Sequence, residues 1–136
     1  MRNYQILNTA HVDTNGTLQL TNSEDNPEKP CLSMSREGAF ISLSASFGPL
    51  EIALRLRYED LAWRLEQLQP VPGLAITRQI GTVNSYFAVG LTEDKRIVMR
   101  PTLVTDAHGH LSFNLVGTAD VYKAILKWLS AAPENL

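Results

Sequence analysis

This sequence is short of most things that announce chemistry. It has one cysteine, Cys31, and three histidines in 136 residues. A single thiol forms no internal disulfide, and no C-x-x-C pair marks a zinc site, which favours a reducing compartment. No apolar run approaches the roughly 18 residues of a spanning helix. The opening Met1-Arg2-Asn3-Tyr4-Gln5 lacks the apolar stretch of a secretory signal, so the expectation is a soluble, cytoplasmic chain with no membrane contact. Charge of one sign is missing too. Twelve basic residues against 14 acidic leave a net charge of −2, which gives no general attraction to phosphates or acidic lipids. Gly81-Thr82 and Gly90-Leu91 match neither standard phosphate-loop spacing, and no serine sits in G-x-S-x-G.

What the chain does have is 44% hydrophobic residues set in clean periods. The composition and length fit one globular domain over residues 1–136. Within it, residues 1–21 read as an N-terminal hairpin, Tyr4–His11 and Thr17–Thr21 around Asp13-Thr14-Asn15-Gly16, because Asn-Gly accepts the positive φ of a tight turn. Residues 22–30 combine acids, turn formers and two prolines, which predicts a mobile surface loop. Residues 31–130 carry the α+β core, and 131–136 a frayed tail.

In that core, Cys31–Ser35 and Ala39–Ala45 read as strands around Arg36-Glu37-Gly38. Leu50–Arg57 alternates strictly, with Leu50, Ile52, Leu54 and Leu56 on one side. A helix over Tyr58–Gln69 follows from Tyr58, Leu61, Ala62, Leu65 and Leu68 on one face, stopped by Pro70-Val71-Pro72-Gly73. Four strands come next, Leu74–Gly81, Ser85–Thr92, Arg96–Asp106 and His110–Gly117, with links short enough only for hairpins. Thr118 caps a last helix, Ala119–Ser130, with Val121, Tyr122, Ile125, Trp128 and Leu129 as its stripe. The expected architecture is an antiparallel meander with both helices packed on one face.

Candidate chemistry is thin. Asp106-Ala107-His108-Gly109-His110 gathers a carboxylate and two imidazoles, but those residue types are also what a hairpin turn requires, and only the distant His11 and Asp13 offer further ligands. Cys31 has no histidine or helix start beside it to make a thiolate. Ser33, Ser35, Ser42, Ser44 and Ser46 fit solvent-side strand positions. Arg55, Arg57, Arg78, Arg96 and Arg100 are interleaved with Glu51, Glu93 and Asp94, which weighs against a nucleic-acid track. The reading is therefore not an enzyme, with no cofactor and no metal.

A partner is the better expectation. Val98 and Val104 point away from Ile97, Met99 and Leu103, while Tyr86, Ala88 and Gly90 oppose Phe87, Val89 and Leu91, so the second sheet face is partly apolar. Cover by the chain itself, by the N-terminal hairpin or by another protein all satisfy it. Pro101 cannot donate to a ladder, so Arg96–Val104 is expected at a sheet edge or with a bulge, open to strand addition. Trp63 falls outside its helix's apolar stripe. The expected contact set is Arg55, Arg57, Trp63, Tyr86, Val98, Arg100 and Val104. The function expected from it is an assembly chaperone or adaptor for a protein or peptide partner, and a flat face also permits a homodimer. The alternative is a small-ligand or metal binder, or a minor enzyme, with its pocket between helices and sheet.

The stretch Leu61–Leu129, with Leu68-Gln69-Pro70-Val71-Pro72-Gly73-Leu74, Thr77-Arg78-Gln79 and Arg100-Pro101-Thr102, resembles small cyanobacterial proteins that include assembly factors of photosynthetic and carbon-fixing machinery, carboxysome assembly chaperones among them. The resemblance covers half the chain in style and implies an assembly role without assigning a site. The order of elements is also similar to small secretion-chaperone folds.

Overall fold

Alternating burial in the first half of the chain builds a five-stranded antiparallel sheet, here the meander sheet. The computed structural model describes residues 4–24, 27–72, 77–106 and 109–131. In the meander sheet β2 (Thr9–Val12), β3 (Leu18–Thr21), β4 (Cys31–Glu37), β5 (Phe40–Phe47) and β6 (Leu50–Arg57) lie in chain order. Side chains on a strand alternate faces, so register puts Leu18, Met34, Leu43 and Leu54 in one inward row and Leu20, Leu32, Ala45 and Ile52 in the next. The outward rows hold Ser33, Ser44 and Ala53, then Ser35, Ser42 and Arg55, matching the solvent-side reading of the serines. Gly38, at φ +64°, turns β4 into β5 through the two-residue link that Glu37 and Phe40 close.

After β6 come α1 (Tyr58–Gln67) and a second, mixed sheet of β7 (Pro70–Val71), β8 (Arg78–Gly81), β9 (Ser85–Thr92), β10 (Ile97–Asp106), β11 (Gly109–Ser112) and β12 (Leu115–Gly117), then α2 (Ala119–Ala131). The expected single meander is thus two sheets. The mixed sheet runs β1 (Gln5–Leu7), β12, β10, β9, β7, with β11 also on β10 and β8 also on β9. It is mostly antiparallel, but β1 joins β12 and β7 joins β9 in parallel.

The N-terminal segment corrects the expected hairpin. Only β2 and β3 form it, and β1 crosses to the other sheet. The break falls at Asn8, whose side-chain oxygen accepts from Thr9 Oγ1 and the Ser23 amide, while its own amide donates to Thr21 O. Leu7 is fully buried, and the Thr118 amide donates to its carbonyl. Within the 22–30 segment, Pro30 is buried and the Gly48 amide donates to Glu28 O. Residues 1–3, 25–26, 73–76, 107–108 and 132–136 lie outside the described residues, and with them part of the expected 22–30 loop, the start of the expected Leu74–Gly81 strand, the centre of the Asp106–His110 cluster and the expected tail.

The inward rows of both sheets share one apolar cluster. The mixed sheet contributes Ile80 and Phe87, then Val89, Met99 and Leu115, then Leu91, Ile97 and Leu7. The helices bridge the two sheets. Helix α1 touches β6, β8 and α2, and α2 touches β2 and β3 on one side and β10 and β12 on the other. Each helix touches strands of both sheets, so the expected packing of both on one sheet face is not shown. Helix α1 ends two residues early at Gln67, with Leu68 already extended, and Gln69, next to Pro70, is itself disfavoured in the α region. Thr118 caps α2 through its hydroxyl to the Val121 amide at 3.3 Å, and the apolar stripe is buried as expected. Tyr122 donates to Leu65 O at 2.9 Å, tying the helices, and burial pushes its phenol pKa up. No described helix is long and apolar enough to cross a membrane.

At Gly117 the sheet packs tightly against Val121 of α2. A Cβ there would lie 2.8 Å from Val121 Cγ1 and 2.9 Å from Ile97 Cγ2, both on stiff β-branched side chains. Gly117→Ala is expected to destabilise by about 1–3 kcal/mol through overpacking, read as a lower urea midpoint at unchanged slope.

Candidate interaction site beside strand β11

Strand β10 lies inside the sheet, between β9 and the β11–β12 line, which corrects the edge expected from Pro101. The proline is accommodated by its neighbour. Register runs from Met99 opposite Leu115 to Thr102 opposite Ser112, and the partner strand is interrupted at Phe113–Asn114, across from Pro101. Phe113 donates its amide to Pro101 O at 3.2 Å, and the return bond is the one a proline cannot make.

The interruption divides that line into two. β12 has β10 on one side and β1 on the other, with the Gln5 amide donating to Asn114 O at 2.8 Å. β11 has β10 on one side and no described strand on the other. Backbone groups alternate direction along an antiparallel strand. The Val104 amide donates to Asn84 O on the β9 side, so Leu103 and Leu111 face each other, and the N–H and C=O of His110 and Ser112 point to the open edge.

The two faces beside this edge differ. On the outer face is a groove of about 350 Å³ lined by Tyr86, Arg100, Thr102, His110, Leu111, Ser112 and Asn114, with no acidic residue among its described lining. Cross-strand register puts Tyr86, Thr102 and Ser112 in one row, with the Thr102 and Ser112 hydroxyls 2.9 Å apart. Arg100 sits one row along, paired with Ala88. Its Nη2 donates to Thr77 Oγ1 at 3.1 Å, while its Nε is buried with no hydrogen-bond partner. On the inner side, a mostly apolar cleft of about 310 Å³ opens between the sheets, lined by Phe47, Leu50, Leu111, Phe113 and Leu115 together with Gln5, Ser112 and Asn114. Leu50 is 51% exposed there and Leu111 37%.

The expected contact residues divide accordingly. Tyr86, Arg100 and Val104 come together on this outer face, half-buried. Val98 shares the face but is 2% exposed, beside the buried Ala88 and Val116, so it offers nothing to a partner. Arg55 and Arg57 are on the outer face of the other sheet. The Arg55 guanidinium lies 4.3 Å from the Phe40 ring centre, and Arg57 pairs with Glu59 at 3.1 Å, an exposed pair worth about 0–1 kcal/mol. Trp63 projects from α1 at 55% exposure, with Arg64 over its ring at 5.0 Å.

Ser112, Asn114 and Leu111 escaped the sequence reading because their roles depend on which strand flanks them. The period-2 alternation of His110, Ser112 and Asn114 against Leu111, Phe113 and Leu115 was the signal available. Of the other candidates, burial pushes the half-buried Cys31 thiol pKa up, away from a reactive thiolate. Asp13 uses its carboxylate to close the β2–β3 turn, accepting from the amides of Asn15 and Thr17 and from Gln19 Nε2. Among the described residues no three His, Cys, Asp or Glu gather as a metal site.

Fold and surface together define an α+β protein of two sheets in which the β11 edge, without a neighbouring strand among the described residues, runs between a polar groove and an apolar cleft. Among known proteins, the chain matches no family model, no curated sequence and no solved structure.

Proposed function

We propose that this chain is a cytoplasmic, non-enzymatic interaction protein, an assembly chaperone or adaptor that takes an extended segment of a partner along β11. The observation that carries the reading is the β11 edge at His110 and Ser112, which has no strand beside it among the described residues and is flanked by the groove and the cleft. Main-chain hydrogen bonds would supply affinity, and the two flanking hollows specificity. A second copy of the chain pairing through the same edge would give a homodimer.

The test is Ser112→Pro. The Ser112 N–H points outward, so proline there leaves the β10 ladder intact and blocks an incoming strand. The expected result is an unchanged melting curve, with loss of partner capture from native-host lysate and loss of amide-exchange protection at 109–112 in the complex. Capture and protection equal to wild type would sink the proposal.

The second reading, a small apolar ligand, rests on a hollow of about 340 Å³ between the β2–β3 hairpin and α2, lined by Ala10, Val12, Leu18 and Trp128 with His11 and Lys127 at its margin.

A further inference from the structure

We infer that β6 is a second docking edge and that its occupant is another copy of this chain, paired antiparallel about a two-fold axis at Ala53. The inference does not rest on the β11 reading, and the contact leaves both β11 edges free.

An edge strand presents unpaired N–H and C=O groups, and proteins blunt such edges by keeping them short or by interrupting them with proline, lysine or a bulge. The other flanking strands follow that rule, since β1, β2, β7, β8 and β11 hold only two to four residues each. Strand β6 does not. It is eight residues long, contains no proline, lysine or glycine, keeps an unbroken register with β5 from Leu50 to Arg57, and has no described strand on its other side. The Tyr58 amide donates to Ala39 O at 2.8 Å in continuation of that register, so by alternation Ile52, Leu54 and Leu56 bond toward β5. The N–H and C=O of Glu51, Ala53 and Arg55 therefore point outward, and all three residues are exposed.

Charge selects the occupant and its register. Glu51 and Arg55 stand two residues to either side of Ala53 and share its face. Antiparallel pairing of two copies with Ala53 opposite Ala53 sets Glu51 of each beside Arg55 of the other, with about six main-chain hydrogen bonds along the joint. The strand is thus complementary to itself, which is what a two-fold contact requires. The row that meets at the axis is Ser33, Ser44 and Ala53 from each copy, so no bulky side chain obstructs it. On the inner side the same register sets Leu50, 51% exposed, against Leu56 of the second copy. Sliding the pair by two residues would instead oppose Glu51 to Arg57, which already pairs with Glu59 at 3.1 Å.

The experiment is sedimentation equilibrium of the full chain from micromolar to millimolar concentration at low salt. Wild type is expected to reach twice the chain mass of 15.1 kDa. Glu51→Arg and Arg55→Glu each set like charges opposite one another and are expected to weaken the dimer about tenfold or more, and the two together to restore it. Ala53→Pro removes only an outward N–H and is expected to abolish the dimer, while Ser112→Pro leaves it intact. The charge variants alter exposed side chains, so the outcome does not hang on the proline variant folding. A wild type that stays monomeric throughout would overturn the inference. So would a dimer indifferent to the single charge changes, or one lost in Ser112→Pro and kept in Ala53→Pro.

Discussion

Replacing Phe87 with alanine is expected to destabilise the protein by about 3–5 kcal/mol. Phe87 is fully buried in the middle of β9, between Ile80 on β8 and Pro101 on β10, and its ring enters the core shared by both sheets. Deletion of such a ring removes its transfer free energy and leaves a cavity that rigid strands on both sides cannot close. A total stability of roughly 5–15 kcal/mol makes that a large fraction of the whole. Urea unfolding followed by circular dichroism would read it as a fall in midpoint at constant slope. A loss under about 1 kcal/mol would mean that the two sheets do not pack through this residue.

Trp128→Ala is expected to cost a similar amount, about 3–5 kcal/mol, for a different reason. Trp128 is 7% exposed on α2, and its indole N–H donates to Gly16 O at 2.9 Å, fastening the β2–β3 turn to the C-terminal helix. Trp128→Phe keeps most of the apolar area and loses that bond, so it is expected to cost about 1 kcal/mol plus a fit penalty of similar size. Fluorescence separates the local event from the global one. Trp63 is exposed and Trp128 buried, so the red shift on unfolding is expected to come from Trp128 and to vanish in the alanine variant. An unchanged shift would place the buried tryptophan signal elsewhere.

Much of the fold was legible where one physical rule acts locally. Leu50–Arg57 alternates because one strand face meets a core and the other water, and the structure buries Ile52, Leu54 and Leu56 on that account. Both helical stripes were readable for the same reason. Division of the strands into two sheets was not, because it depends on Leu7 reaching past its own hairpin to pair beside Gly117. Pro101 shows the limit most directly. A missing N–H demands a missing partner, and that demand is met equally by an edge or by a neighbour interrupted at Phe113–Asn114. The site followed the same division. Tyr86 and Arg100 stood out on their own strands, but the groove exists only when Ser112 and Asn114 arrive beside them from β11 and its break.

The parallel pairing of β1 with β12 joins Gln5 to Leu115, and the Trp128–Gly16 bond links residues 112 positions apart. At roughly 5–20 residues per second, a ribosome takes on the order of 5–20 seconds to span such a gap. For that time Ile6 and Leu7 have been made but have no sheet to enter, whereas β2 to β6 can already close as local hairpins. Folding of the chain is therefore ordered in time by its topology, and the meander sheet is the half that waits with one apolar face uncovered.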